Sequence, residues 1–353
     1  MGDLPFDAVL DPLLGRTLGE LGMLRQASRR RLRSDRVTVA LPVPNYPLAD
    51  VLAERIRQAA GADVDVRFEV MNDEERRALM DRLRESSGPG IGQPGSRTRV
   101  LAVGSGKGGV GKSSVTTNLA VALAQRGHRV GVIDADIWGF SIPRMLGVAH
   151  PPVVIEQSII PPVAHGVSAI SMDYFVGDDQ AVIWRGPMLH KAIQQFLEDV
   201  FWDAPDFLLV DMPPGTGDVS ISLSQLLPRA QVLLVTTPQP TAQRVAKRAG
   251  LMARKVSQEL IGVVENMSWF TGDDGKRYEL FGSGGGERLA EELDVPLLAK
   301  IPLVPAMREG ADEGKPVMLA DPEGEAAEAF RRLAEEVIAR KPRVRTHPEL
   351  VIR

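Results

Sequence analysis

The stretch Leu101–Thr117, LAVGSGKGGVGKSSVTT, constrains this chain more than any other. The residues leading into it, Arg99 to Val103, are apolar and β-branched and read as a buried strand. Residues 104–111 carry five glycines in eight positions. Ser113 to Gln125 then shows helical spacing, with Leu119, Val121, Ala122 and Leu123 as its apolar candidates. Strand, glycine loop and helix form the context in which Gly106–Ser113 reads as a phosphate loop of the G-x-x-x-x-G-K-[ST] type. Glycine tolerates positive φ and places no Cβ between a backbone N–H and an anion. The candidate cradle is therefore Gly106, Lys107, Gly108, Gly109, Val110, Gly111, Lys112, Ser113 and Ser114, opening onto a helix N-terminus. Lys112 offers a point charge to β- and γ-phosphates, and Ser113 offers a hydroxyl to Mg²⁺.

The chain has 353 residues, room for one large α/β domain and a smaller one. Its formal net charge of −4 gives no global electrostatic case for nucleic acid or an anionic membrane. No apolar run approaches a membrane span, and the acidic start MGDLPFDAVLD lacks a signal-peptide core, so the expected location is the cytoplasm. There are no cysteines, which excludes disulfides, thiol catalysis and thiolate metal ligation within the chain.

Residues 1–84 read as a small α/β domain. Phe6–Leu14 is helix-prone until Pro12 and Gly15 interrupt it, Val37–Val43 and Val64–Val70 alternate as strands, and Leu48–Ala59 reads as a helix with Leu48, Val51, Leu52 and Ile56 on one side. The arginines at 29, 30, 31 and 33 read as a solvated hairpin turn. Residues 85–97, ESSGPGIGQPGSR, have almost nothing to bury and read as a flexible linker. From 98 to 340 strands and helices alternate, which predicts a mainly parallel sheet covered on both faces, followed by a tail at 341–353.

Within that domain Arg129–Asp134 reads as a strand ending in a carboxylate, continued by Asp136. Phe207–Asp211 is an apolar strand ending in Asp211, with Gly215 four residues on. Downstream of a phosphate loop this is a Walker B arrangement: Asp211 reaches Mg²⁺ through water and Gly215 donates its N–H toward the γ-phosphate. Further strands are Val232–Pro238 and Ile261–Met267, and Gln243–Arg254 and Glu325–Ala339 read as helices. Asn266 lies at the polar end of the second of these strands, and Ile301-Pro302-Leu303 reads as a strand exit and a wall of a base pocket. No N-K-x-D occurs, so guanine recognition has no support.

The K-G-G-V-G-K-S form of the loop, with Lys107 directly after the first glycine of the motif, resembles the deviant P-loop family. That family includes nitrogenase iron protein, partition ATPases and the Mrp/ApbC-type iron–sulfur carriers. The resemblance implies a homodimer in which Lys107 reaches the partner's nucleotide in trans. It places Asp134 near the Mg²⁺ shell, gives Asp136 the task of orienting or deprotonating the attacking water, and sets Asn266 against the adenine edge. Residues 98–338 are similar to the Mrp type in particular, with Phe140 where that family has a proline. The pattern DPLLGRTLGELGML, a strand, then PNYPLADVLAERI resembles the MIP18-like domain of iron–sulfur assembly proteins, with Tyr46 where that family has a cysteine.

The Mrp-type resemblance implies ATP-dependent carriage or assembly of iron–sulfur clusters, with assembly or client proteins as partners. One feature departs from it. The C-x-x-C pair that bridges a cluster between subunits is replaced by Thr271, Gly272, Asp273 and Asp274, so a thiolate-held cluster has no ligand here. T-G-D-D-G is turn chemistry. Trp269, Phe270, Tyr278 and Phe281 read as packing residues and as candidates for a dimer seam. Two alternatives stand beside the carrier reading: a regulatory ATPase switch without a cluster, and a partition- or site-selection-type ATPase that binds DNA or membrane.

Overall fold

A computed structural model describes residues 6–28, 35–60, 64–136, 139–175, 186–215 and 218–342. The N-terminal unit is built on three strands, β1 (Leu24–Ser28), β2 (Asp35–Leu41) and β3 (Val64–Val70), with β1 antiparallel and β3 parallel to β2. A one-turn helix, α1 (Leu18–Leu21), precedes them, and α2 (Ala49–Ala60) and α3 (Asp73–Ser87) complete the unit. Capping boxes at Thr17/Glu20 and Asn72/Glu75 fix the starts of α1 and α3 by satisfying helix N–H groups that would otherwise be orphaned.

Three sequence expectations are corrected here. Residues 6–14 form turns rather than a helix, because the Asp11 carboxylate accepts the N–H groups of Leu13 (3.0 Å) and Leu14 (2.8 Å) and holds the chain in a bend. In α2 the buried residues are Leu52, Ala53 and Ile56, while Val51 is 43% exposed. The stretch 85–97 is not wholly without structure or burial: α3 runs through Ser87, and Ile91 is buried in the core of the larger unit. The arginine run at 29–33 lies outside the described residues.

The larger unit contributes β4 (Arg99–Ser105), α4 (Lys112–Gln125), β5 (Val130–Asp134) and α5 (Ile142–Met145). It continues with β6 (Val153–Ile155), β7 (Ser158–Ile160), β8 (Val163–Ala164), β9 (Val167–Ser171) and α6 (Gly186–Glu198). Then come β10 (Phe207–Asp211), α7 (Asp218–Leu226), β11 (Gln231–Thr236), α8 (Pro240–Lys255) and β12 (Glu259–Glu265). A short hairpin, β13 (Phe270–Thr271) and β14 (Arg277–Tyr278), leads to α9 (Gly285–Glu292), β15 (Leu297–Lys300), α10 (Pro305–Glu313), α11 (Val317–Ala320) and α12 (Glu325–Ala339).

Eight of these strands form one sheet in the order β15-β12-β11-β4-β10-β5-β9-β8, parallel except for β8. The strands are apolar at successive positions because both faces are covered. Leu101, Val103, Leu209 and Leu233 pack with α4, α11 and α12 on one face. Val100, Ala102, Leu208, Val210 and Leu234 pack with α6, α7, α8 and α9 on the other. The period-two alternation of a strand thus feeds two cores at once.

The N-terminal unit is docked on the larger one. Val153, Ile155 and Ile160 of the β6–β7 hairpin are buried in its core rather than in either core of the main sheet. Around them Arg16 pairs with Asp203 (2.6 Å), which also accepts the Ser87 hydroxyl (3.1 Å); Arg76 pairs with Glu156 (2.8 Å), and Arg84 donates to Ser158 (2.9 Å).

Tyr46 is buried, and its hydroxyl donates to Asp11 Oδ1 at 2.5 Å. Burial pushes the Asp11 carboxyl above its usual range, while the Tyr46 hydroxyl and two backbone N–H groups oppose that shift. A carboxyl raised on folding binds its proton more tightly in the folded chain, so its contribution to stability falls as pH rises through the raised value. Tyr46→Phe removes a donor that favours the charged form. We expect it to cost on the order of 1–3 kcal/mol at pH 7 and less near pH 4, measured by denaturant unfolding at both pH values. Equal cost at the two pH values would show that the hydroxyl does not hold the Asp11 charge.

Candidate functional site: a phosphate loop beside two buried carboxylates

The register of the parallel strands assembles the site. Asp211 is the Cα partner of Val103 on one side and of Asp134 on the other. Two carboxylates therefore stand at the carboxyl ends of adjacent strands, beside the loop that leaves β4. This edge is where open parallel sheets place ligands.

The loop enters α4 through Gly111, whose φ of 78° is left-handed and which leaves the helix start without a side-chain cap. The N–H groups of the first turn thus remain for an anion. A Cβ on Gly111 would also lie 2.2 Å from Asn266 Nδ2, so conformation and space both demand glycine. A Cβ on Gly106 would lie 2.2 Å from the Ala246 nitrogen, which seats the start of the loop against the α8 backbone. Gly109 (φ 77°) is the other left-handed glycine within 106–111.

Three side-chain donors, Lys112, Ser113 and Thr116, meet a group of three carboxylates, Asp211, Asp136 and Asp134, at this loop. Lys112 is buried, its ammonium 2.5 Å from Asp211 Oδ2 and 3.5 Å from Asp136 Oδ2. The Ser113 hydroxyl lies 2.6 Å from the same Asp211 oxygen, and that of Thr116 lies 2.6 Å from Asp211 Oδ1. Thr116 escaped the sequence reading; it sits four residues after Lys112 and three after Ser113, on the same side of α4, and that spacing could have found it. Asp134 accepts from the N–H groups of Asp136 (3.3 Å), Ser141 (3.0 Å) and Ile142 (3.2 Å) and from the Ser171 hydroxyl (3.3 Å). Its carboxyl is pushed up to about 7, first by burial and then by the neighbouring Asp211 charge.

The remaining candidates are placed as follows. Lys107 is not bonded to this cluster; it donates to Gln239 Oε1 at 3.2 Å. The Gly215 N–H donates to the Ser105 carbonyl at 2.9 Å, so in this conformation it is committed to the sheet edge rather than directed at a phosphate. Residues 216–217 of the same loop, and 137–138 after Asp136, lie outside the described residues. Asn266 is buried, and its amide donates to the Val110 carbonyl at 2.9 Å, leaving Oδ1 buried without a partner. Pro302 is buried beside it, where Ile301 bonds Glu265 and Ser268 through the backbone.

Ser113 Oγ and the Asp211 carboxylate are hard oxygen donors that fit Mg²⁺. Among the described residues no group of three or more His, Cys, Asp or Glu side chains could hold an ion unaided. A metal here would need phosphate oxygens and water as further ligands, the usual condition for Mg²⁺ at a phosphate loop.

The segment standing where a cluster pair would lie is a closed hairpin. Asp274 accepts the Lys276 N–H (3.0 Å) and the Tyr278 hydroxyl (2.8 Å), as a turn residue does. Glu325 at the start of α12 takes both the Trp269 indole N–H (3.0 Å) and the Thr271 hydroxyl (2.9 Å). Arg277 lies over the Trp269 ring, 4.4 Å from its centre. Tyr278, read from the sequence as a packing residue, is 44% exposed.

A phosphate loop on a parallel sheet, with strand-end carboxylates beneath it, defines a nucleotide-binding P-loop NTPase. The chain belongs to the iron–sulfur cluster carrier family of these proteins. Residues 96–338 match the ParA family model, described as NUBPL iron-transfer P-loop NTPase. The iron–sulfur cluster carrier protein of Mycobacterium leprae is 45% identical over 95% of this chain and 91% of its own length. That of Deinococcus radiodurans is 44% identical over 97% and 95%. Among solved structures, a nucleotide-binding protein of Archaeoglobus fulgidus in complex with ADP is 30% identical, with a TM-score of 0.56 over 73% of this chain and 97% of its own. The cell division ATPase MinD of Pyrococcus furiosus is 29% identical, with a TM-score of 0.53 over 68% and 98%.

Gly111→Ala tests the geometry at the helix entry. Left-handed strain and the approach to Asn266 should together cost at least about 2 kcal/mol and move the α4 start. Thermal unfolding should show the loss, and titration with a fluorescent ATP analogue should show affinity falling at least tenfold. Wild-type values in both would mean that the loop tolerates a side chain there.

Proposed function

We propose that this chain is a Mg²⁺-dependent ATPase that acts as a homodimer in the cytoplasm, within iron–sulfur cluster carriage, and that it does not ligate a cluster through its own side chains. The observation that carries the nucleotide half is the convergence of Lys112, Ser113 and Thr116 on Asp211 at the mouth of the loop. ATP is the nucleotide supported by the free Asn266 acceptor and by the missing guanine motif. The N-terminal unit, on its sequence pattern, is a MIP18-like domain.

The site's own residues suggest the order of events. Phosphates entering the loop draw Lys112 away from Asp211 and toward the β- and γ-oxygens. Ser113 and Asp211 are the residues that would hold Mg²⁺, with Asp134 behind them, and a bound Mg²⁺ would neutralise phosphate charge. Asp136, 3.5 Å from the Lys112 ammonium, orients the attacking water, and Lys107 of the second copy meets the charge that develops on the γ-phosphate.

The cluster half rests on the relatives, which are named iron–sulfur cluster carrier proteins. With no cysteine anywhere in the chain, thiolate ligands would come from a client or assembly partner. That absence favours a second reading, a cluster-free ATPase switch that supports such a partner. The acidic balance argues against DNA or membrane as the cargo surface.

Lys112→Ala should abolish ATP binding. Because it also strips a buried carboxylate of its charge partner, about 3 kcal/mol of stability should go with it, so unfolding is measured alongside. Lys107→Ala should leave ATP affinity unchanged and slow steady-state hydrolysis at least tenfold; wild-type turnover would remove its trans role. Anaerobic reconstitution with iron and sulfide, with and without ATP, should leave no protein-bound iron after desalting. Retained stoichiometric iron would overturn the claim that the chain alone holds no cluster.

A further inference from the structure

Lys107 sits where nothing ionic holds it. Among the described residues its ammonium has no carboxylate within ion-pair distance, and the acceptor it meets is the neutral amide oxygen of Gln239, at 3.2 Å. Gln239 is the N-cap of the 16-residue helix α8, yet its side chain makes no capping hydrogen bond. Its backbone carbonyl serves the helix instead, accepting from Ala242 (3.0 Å) and Gln243 (3.3 Å). The amide is thereby left to face the loop, and its oxygen is steadied by the hydroxyl of buried Thr237 at 3.3 Å. The backbone-to-backbone seat of Gly106 on α8 delivers Lys107 to this spot.

The place is electrostatically poor for a cation. The N-terminal end of α8 carries the positive end of the helix dipole, which disfavours an ammonium. One neutral acceptor offsets that, so the lysine is held in a defined position but shallowly.

We propose that Gln239 is a positioning residue that parks Lys107 within its own protomer, and that the lysine leaves this amide when a second copy presents its bound nucleotide. The proposal rests on the trans-acting reading of Lys107 given above and adds its resting partner. Parking keeps the long side chain out of its own loop and sets how readily the assembled dimer becomes competent.

The test uses the full chain and measures steady-state ATP hydrolysis as a function of protein concentration, with ATP affinity measured separately. Gln239→Ala removes the acceptor and should raise turnover at limiting protein about fivefold, with ATP affinity within about twofold of wild type. Gln239→Glu replaces a neutral acceptor with a charged one and should lower turnover by about fivefold or more. In a Lys107→Ala background neither change should have any further effect. Opposite signs for the two variants are what a merely structural glutamine would not produce. Slower turnover in both variants would mean the amide serves the active state and would overturn parking, as would no change in either. Wild-type hydrolysis by Lys107→Ala alone would instead sink the trans role itself, a result separable from failure at Gln239.

Discussion

The carboxylate of Asp211 is the point on which the site depends. It is fully buried, and it receives an ammonium and two hydroxyls from three positions of one helix turn and its start. A buried carboxylate without such partners costs several kcal/mol, and the penalty is offset only when its lone pairs are filled. Here Lys112 supplies that compensation. The lysine is therefore not waiting in solvent for a phosphate. On the proposed reading, phosphate binding would be an exchange of partners for Lys112, and a divalent metal would supply the positive charge that Asp211 loses.

That exchange extends to Asp134. Its oxygens hold the N–H groups at the start of α5, so the carboxylate beside Asp211 is also the cap that shapes the segment following β5. Asp136 is bonded to Asp134 through its backbone and faces Lys112 with its side chain. A change in charge at Asp211 is felt by Asp134 directly, since the two residues are neighbours across adjacent strands. Local charge and the path of the 134–142 segment are thus physically linked, as a nucleotide switch requires.

Much of this was legible in the sequence, and the reasons are local. Glycine at 106, 109 and 111, lysine at 112 and apolar strands ending in Asp134 and Asp211 each reflect a constraint that acts within a few residues: backbone angle, burial, a strand terminus. What the sequence hid was long-range. Asn266 reads as a base contact, but its donor is spent on Val110, 156 positions away. Gly215 reads as a phosphate donor, but its N–H is spent on Ser105. Gln239 carries no motif at all and matters only because α8 packs against Gly106. The stretch 85–97 reads as solvent-facing by composition, yet Ile91 finds a core whose members run from Val100 on β4 to Leu293 beyond α9.

The hairpin at 270–278 separates two roles that the family joins. A loop that depends on a metal for its shape leaves polar groups unsatisfied without it. Here the opposite holds: Thr271 and Trp269 are tied to Glu325, Asp274 closes its own turn, and Arg277 stacks on Trp269. The segment is thus held by oxygen, nitrogen and aromatic contacts and asks for no ion. The hairpin and the phosphate loop share strand β12: just past its end Asn266 reaches the loop through Val110, and three residues further on Trp269 opens the hairpin. Asn266 and Trp269 are only three residues apart in the chain, so the loop and the hairpin are joined by a short, well-bonded backbone segment that carries no metal ligand.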